Sequence, residues 1–202
     1  MIDKWEKQIK KNDFVLDIGC WSGKRVLNLT NISKNVYGMD INAQRFSLAD
    51  KKIKNKLFLG DVTKKIPFKK KFDWIILSEV LEHVSDDSKT LKNINKSMKI
   101  GGRLILSTPK SIKYFEFWDP AWVKWKFFVG ERHYHYTKEE LFQKLKNNNF
   151  QIEEYYILGG LLWIIKRWIN VFLKYIFKSK KQLNNSMKKG FCDWFILAKK
   201  IK

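Results

Sequence analysis

Phe14-Val15-Leu16-Asp17-Ile18-Gly19-Cys20-Trp21-Ser22-Gly23-Lys24 is the stretch whose reading decides the fold. It describes a buried apolar strand that carries an acidic residue near its end and passes through a glycine-bearing turn into a helix. Such a turn lets backbone N–H groups approach a small polar ligand at the carboxyl edge of a parallel sheet. Many α/β proteins open this way, so the pattern gains its force from the segments downstream. Asn35 to Asp40 is a second short apolar run ending in a carboxylate, and Leu57 to Val62 is a third, carrying Asp61. Phe72 to Ser78 and Gly102 to Pro109 are a fourth and a fifth. Helix-like segments separate them, clearest at Asn42 to Lys54 and Asp86 to Lys99. Strands alternating with helices of this length predict βα units and a parallel sheet covered on both faces.

The segments VLDIGCWSG, VYGMDIN, FLGDVTKKIPF, FDWIILSEVLEHV, GGRLILSTP and HYHYTKEELFQKLKNNNF succeed one another through most of the chain. In order and spacing they resemble the class I S-adenosylmethionine-dependent methyltransferases of the small-molecule and lipid type. The resemblance implies an α/β, Rossmann-like seven-stranded sheet with helices on both faces, closing in an antiparallel hairpin. Strand six would start near Asn149 and strand seven would span Phe191 to Ala198. It also implies S-adenosyl-L-methionine as cofactor. Asp17, Gly19, Cys20 and Gly23 would then form the turn around the methionine moiety, and Asp40 would accept hydrogen bonds from both ribose hydroxyls. Ile41 would pack on the adenine, Asp61 and Val62 would meet its amino edge, and Ser78 would lie where the fourth strand opens toward the methyl group. Trp21 departs from the family pattern, which usually has glycine there. A nicotinamide-dinucleotide fold would need a third glycine at a set spacing, and Leu27 and its neighbours do not supply one.

With 202 residues, 45% of them hydrophobic and 15% aromatic, the chain has material for one core, and residues 1–202 read as a single domain. Cys20 and Cys192 fit no metal spacing and point to a reducing, cytoplasmic setting. The start of the chain is charged, so no secretory signal is expected. The net charge of +21 invites a nucleic-acid reading. Lysine is spread over almost every segment instead of one stripe, which argues against specific nucleic-acid binding.

Two insertions depart from the common fold. Residues 110–132 include Lys113 to Gly130, KYFEFWDPAWVKWKFFVG, where the family usually builds its acceptor lid. So many aromatics are too apolar for a solvated loop; they either wall an apolar pocket or dip into a membrane interface. Residues 159–180 include Gly160 to Lys178, GLLWIIKRWINVFLKYIFK. On a helical wheel Leu161, Leu162, Ile164, Ile165, Trp168, Ile169, Phe172, Leu173, Tyr175 and Ile176 form a wide apolar face, and Lys166, Arg167, Asn170, Lys174 and Lys178 gather opposite. The cations argue against a membrane span. A helix lying on an anionic membrane surface fits better, with core or dimer packing as the alternative.

Methyl transfer asks for alignment of donor and acceptor and exclusion of water. An oxygen acceptor also has to lose a proton, which a histidine can take. His83, within Glu79-Val80-Leu81-Glu82-His83, and His133 or His135, within Glu131-Arg132-His133-Tyr134-His135-Tyr136, are the candidate bases. A helical turn after Ser78 would put Glu79 and His83 on one face. Glu79, Glu82 and His83 also resemble the metal site of ubiquinone-pathway O-methyltransferases and small-RNA 2′-O-methyltransferases, with His133 or His135 to complete a shell. Many relatives carry the same letters without metal, so no metal ligand is assigned. The expected function is O-methylation of a lipophilic, lipid-linked or glycan acceptor at the cytoplasmic membrane face. A soluble small-metabolite enzyme, an RNA 2′-O-methyltransferase and a non-catalytic membrane-binding module of the same fold are the alternatives. Oligomeric state is left open by the sequence.

Overall fold

Short apolar runs separated by lysine-rich segments pair side by side into a parallel sheet. The computed structural model describes residues 2–178, 182–184 and 187–202. Its strands are β1 (Phe14–Ile18), β2 (Asn35–Asp40), β3 (Leu57–Leu59), β4 (Phe72–Ser78), β5 (Met98–Pro109), β6 (Phe150–Leu158) and β7 (Asp193–Lys200). They form one seven-stranded sheet in the order β3-β2-β1-β4-β5-β7-β6. The pairs β1–β2, β1–β4, β2–β3 and β4–β5 are parallel, whereas β7 runs antiparallel to both β5 and β6. This is the expected seven-stranded arrangement with its closing hairpin, and the inserted antiparallel β7 separates it from a uniformly parallel dinucleotide-binding sheet.

The helices are α1 (Ile2–Glu6), α2 (Lys24–Leu29), α3 (Asp87–Ser97), α4 (Pro120–Lys124), α5 (Lys138–Asn147) and α6 (Leu161–Tyr175). Alternate strand residues feed opposite faces of the sheet. Leu16, Ile75, Leu77, Leu104 and Leu106 pack with Leu91 and Ile94 of α3 and Leu141 and Leu145 of α5. Val15, Trp74, Ile76 and Ile105 pack on the other side with Trp5, Val26 and Leu29. Burying each such side chain stabilises the fold by about 1.5–3 kcal/mol, which makes these two layers its foundation.

The helix expected over Asn42 to Lys54 is instead two short 3₁₀ turns, Ala43–Leu48 and Lys51–Lys56. The Asn42 side chain accepts from Gln44 N and the Asp50 side chain from Lys52 N, while Ala49 between them is extended. Each side chain starts a turn of its own by competing for backbone donors, so the chain breaks where a continuous helix was expected.

The segment holding α6 leaves the sheet between β6 and β7. Its two ends cross so closely that a Cβ on Gly190 would stand 2.2 Å from the carbonyl oxygen of Gly159. Trp163 and Ile164 of α6 join Trp118 and Cys192 in a third apolar cluster that fixes the helix against the lid segment. The expected insertion over 159–180 runs past the described part of this segment, since residues 179–180 lie outside the described residues.

Candidate active site

The turn after β1 is narrow because it has to be. Gly19 and Gly23 take φ of 75° and 79°, the left-handed region in which an L side chain costs about 1–2 kcal/mol. A Cβ on Gly19 would also stand 2.3 Å from Val80 Cγ2, and one on Gly23 2.6 Å from Ile53 Cδ1. Trp21 adopts the same kind of backbone, with φ of 52°. Its amide donates to Asp40 Oδ2 at 2.9 Å, and its exposed ring carries the Arg45 guanidinium 4.1 Å from the centroid. The tryptophan therefore turns outward and leaves the turn unfilled.

Asp40 ends β2 with its carboxylate buried under the turn. Oδ1 accepts from Asn42 N at 2.9 Å, and Arg45 Nη1 lies 3.1 and 3.2 Å from the two oxygens. Those Arg45 contacts come from a long side chain that is one-third exposed, so a hydroxyl-bearing ligand has a mobile group to displace. Asp17 is fully buried, and this burial raises its pKa to about 6 against the pull of Arg25, whose Nη1 sits 3.2 Å from Oδ1. Ile41 is exposed at the pocket edge. Asp61 accepts from both the amide and the hydroxyl of Thr63, and the hydroxyl bond holds its pKa below the usual carboxylate value.

Two expected cofactor residues turn their side chains away. Cys20 packs beneath Gly38, where a Cβ would meet its Sγ at 2.7 Å. Burial pushes this thiol up to about 12, and its amide is spent on Met39 O. Val62 packs in the main core, and its carbonyl accepts from Asn93.

Near the ends of β4 and β5, Ser78 Oγ lies 2.8 Å from Ser107 Oγ, which donates to Glu79 Oε1 at 2.7 Å. Glu79 has φ of 55°, and beyond it comes only the 3₁₀ turn Leu81–His83. With only that 3₁₀ turn after Glu79, the expected shared helical face of Glu79 and His83 does not form. Glu82 is fully buried and accepts from Thr108 Oγ1 at 3.1 Å, while its Oε1 makes no hydrogen bond and lies 3.7 Å from His83 Nε2. Burial raises the pKa of Glu79, and burial plus the charge of Glu79 raises that of Glu82 further. Asp193 at the start of β7 is shifted up in the same way.

His83 stands at the lid, one-third exposed, with its ring 4.8 Å from those of Trp125 and His133. Burial and the neighbouring His133 lower its pKa. His133 is nearly buried, its Nε2 2.8 Å from Asp119 Oδ2. His135 Nε2 lies 3.4 Å from that same oxygen, and its Nδ1 faces the Glu116 carboxylate. Arg167 of α6 donates to Asp119 Oδ1 at 2.6 Å. Burial pushes Asp119 up, but the bonds from His133 and His135 and the charge of Arg167 outweigh it and hold the carboxyl well below its ordinary value. The two histidines reach one carboxylate because positions two apart in an extended segment point the same way.

The sequence reading missed Asp119, Glu116, Asp193, Arg167 and Arg45. Asp119 carried a visible signal, an Asp directly before Pro120. Its side chain caps α4 by accepting from Ala121 N at 2.9 Å, as Asp before an N1 proline does.

The lid and α6 together present an apolar surface. Trp118 is buried, yet Tyr114, Phe117, Phe127 and Phe128 are exposed, Phe128 by 82%. On α6 only Trp163 and Ile164 are buried, and Leu162 is 74% exposed. The polar side also differs from the wheel, because Arg167 turns inward to Asp119. Among the described residues no helix is long and apolar enough to cross a membrane.

A family profile described as a methyltransferase domain matches residues 2–155. A ubiquinone biosynthesis O-methyltransferase of Rickettsia bellii is 28% identical over 159 residues, 74% of this chain and 65% of that protein. A demethylmenaquinone methyltransferase of Lactobacillus johnsonii is 31% identical over 112 residues, 50% of this chain and 46% of that one. The chain thus spans from about half to two-thirds of the length of these two relatives. An S-adenosylmethionine-dependent methyltransferase structure from Methanosarcina mazei superposes with a TM-score of 0.68 at 19% identity, covering 98% of this chain and 97% of that one.

Proposed function

Because the chain belongs to the methyltransferase-domain family, whose cofactor is S-adenosylmethionine, we propose that it O-methylates a small lipophilic acceptor of the quinol or lipid-linked type at the cytoplasmic membrane face. The observation that carries the reading is the buried Asp40 carboxylate at the end of β2, set beneath the left-handed turn Gly19–Gly23. The donor set fits the cofactor. Asp40 keeps two acceptor oxygens for a ribose once Arg45 swings out, Asp61 borders the same edge, and exposed Ile41 offers an apolar face to adenine. The bound sulfonium supplies an already activated methyl group, so the protein's own work is positioning, proton removal and exclusion of water.

In this reading the whole chain acts as one domain. Asp17, Gly19 and Gly23 shape the methionine side, and Ser78 and Ser107 line the passage toward the acceptor. Glu79, hydrogen-bonded to Ser107, orients the acceptor hydroxyl. His83 takes its proton: its ring is one-third exposed, and with Nδ1–H given to the Arg132 carbonyl at 3.3 Å, Nε2, 3.7 Å from Glu82 Oε1, is the basic atom. His133, another candidate base, has its Nε2 committed to Asp119. The exposed aromatics of the lid and the apolar face of α6 rest on an anionic membrane surface, drawn there by the net charge of +21. The relatives named for ubiquinone and demethylmenaquinone chemistry support a quinone-type acceptor. A soluble metabolite or RNA acceptor is the competing reading. Incubating the protein with methyl-labelled cofactor and separated quinol, lipid, glycan and RNA fractions decides among them. Label in the quinol or lipid fraction, lost in Asp40→Ala, is the expected result; label in RNA alone overturns the acceptor assignment.

A further inference from the structure

His133 Nε2 lies 2.8 Å and His135 Nε2 3.4 Å from Asp119 Oδ2, one ligand atom from each residue lies within 4.8 Å of the others, and all three side chains are at least 95% buried. We propose that these atoms hold a divalent transition-metal cation in the lid. The two distances to Asp119 Oδ2, 2.8 and 3.4 Å, bracket the edge of about 3.3–3.4 Å spanned by ligands on metal bonds of 2.0–2.1 Å. Ligand atoms up to 4.8 Å apart exceed that edge, so the two imidazoles must turn toward each other as the ion enters.

The surroundings are those of a ligand set. His135 faces a carboxylate with each ring nitrogen, Glu116 at Nδ1 and Asp119 at Nε2. A neutral imidazole has one N–H for two such acceptors; a cation at Nε2 resolves the shortfall and leaves the Nδ1–H for Glu116. That is the carboxylate–histidine–metal relay by which outer groups orient a ligand. Asp119 Oδ1 is likewise fixed from outside by Arg167 and Ala121 N, which leaves Oδ2 for the cation. A second observation points the same way. Buried Glu82 Oε1 and Asp193 Oδ1 have no hydrogen-bond partner, and the Glu79 carboxylate interacts electrostatically with both Asp119 and Asp193. This pocket holds more acceptor capacity than its donors use.

Two imidazoles and one carboxylate favour zinc, iron, cobalt or manganese over magnesium or calcium. Three protein ligands leave a coordination position open, as at catalytic rather than structural centres. The ligands are not those of Glu79-x-x-Glu82-His83, because the side chains that converge are Asp119, His133 and His135.

The test is titration of the untagged, chelator-treated full chain with Co²⁺, monitored by visible absorbance, and with Zn²⁺ by calorimetry. Neither cofactor nor acceptor is added, so its failure leaves the methyl-transfer reading standing. The expected result is uptake of one ion per chain, weakened at least about 100-fold in Asp119→Asn and about 10–100-fold in Glu116→Gln. His83→Ala is expected to bind as the parent does. Should Asp119→Asn fail to fold, Glu116→Gln, which alters only the outer shell, decides. Absence of stoichiometric uptake by the parent chain, equal affinity in Glu116→Gln, or loss of binding in His83→Ala overturns the assignment.

Discussion

Arg167 on α6 donates to Asp119 in the lid at 2.6 Å, clasping two insertions that lie far apart in the sequence. The guanidinium also stacks over Trp163, 4.5 Å from its ring. Helix α6 is thus tied to the segment around Asp119 by charge as well as by the apolar cluster of Trp118, Trp163, Ile164 and Cys192.

Breaking that clasp should loosen the lid. Arg167→Met keeps much of the stem's packing but leaves Asp119 without its charged donor, a loss of roughly 1.5–3 kcal/mol. For a chain of this size the midpoint should fall by roughly 3–12 °C. Calorimetric unfolding of the variant beside the parent checks it, and an unchanged midpoint would show that the pair contributes nothing net.

On α6, Ile165 is 44% and Phe172 50% exposed, while Ile164 is 5% exposed. Replacing both Ile165 and Phe172 with Glu should abolish sedimentation with anionic liposomes and shift the melting temperature little. Ile164→Glu should instead cost several kcal/mol, because its carboxylate would be buried without a partner. Equal thermal damage from the two variants, with no liposome binding by the parent, would reject the membrane surface.

Asp40→Ala should weaken S-adenosylmethionine and its demethylated product by at least about tenfold, since hydrogen bonds to a charged acceptor contribute roughly 1.5–3 kcal/mol. The same variant frees the Trp21 amide and Arg45. Titration calorimetry measures the affinity, and circular dichroism shows whether the fold persists. Undiminished binding in a folded Asp40→Ala protein would displace the cofactor from this end of β2.

Asp17 makes stability depend on acidity. Its pKa is raised by burial to about 6 from an ordinary 3.8, so between these values the folded state holds a proton that the unfolded chain has lost. Stability therefore falls as pH rises from about 4 to 6 and stays lower above it, a loss of about 3 kcal/mol at 1.36 kcal/mol per unit. Asp17→Asn should melt above the parent at pH 7.5, with the gap closing near pH 4. Parallel melting curves of parent and variant across that range would contradict the shift.

The fold was readable because its signals are local. Apolar runs ending in Asp17, Asp40 and Asp61, with glycines at the turn, leave little freedom once strands and helices alternate. The break at Ala49 was not readable, because Asn42 and Asp50 look the same whether they cap one helix or start separate turns. The residues proposed for the cofactor came from motif order, and the inward side chains of Cys20 and Val62 were not readable from it. Their counterpart across the sheet was only half visible. His83, His133 and Glu79 were singled out, but Asp119, which holds His133, Glu116, which holds His135, and Arg167, which holds Asp119, come from separate stretches of the chain. Only packing brings those together, through Trp118 and Trp163.

The contact between Gly19 and Val80 constrains how this molecule could be re-engineered. A Cβ on Gly19 would strike Val80 Cγ2 at 2.3 Å, and Val80 sits between Glu79 and the turn that carries His83. A larger residue at position 80 would press on the backbone of the first loop, and any side chain at position 19 would displace the second. Directed evolution toward a bulkier acceptor would therefore find its productive substitutions in the lid and on α6, where exposed side chains have room to change size.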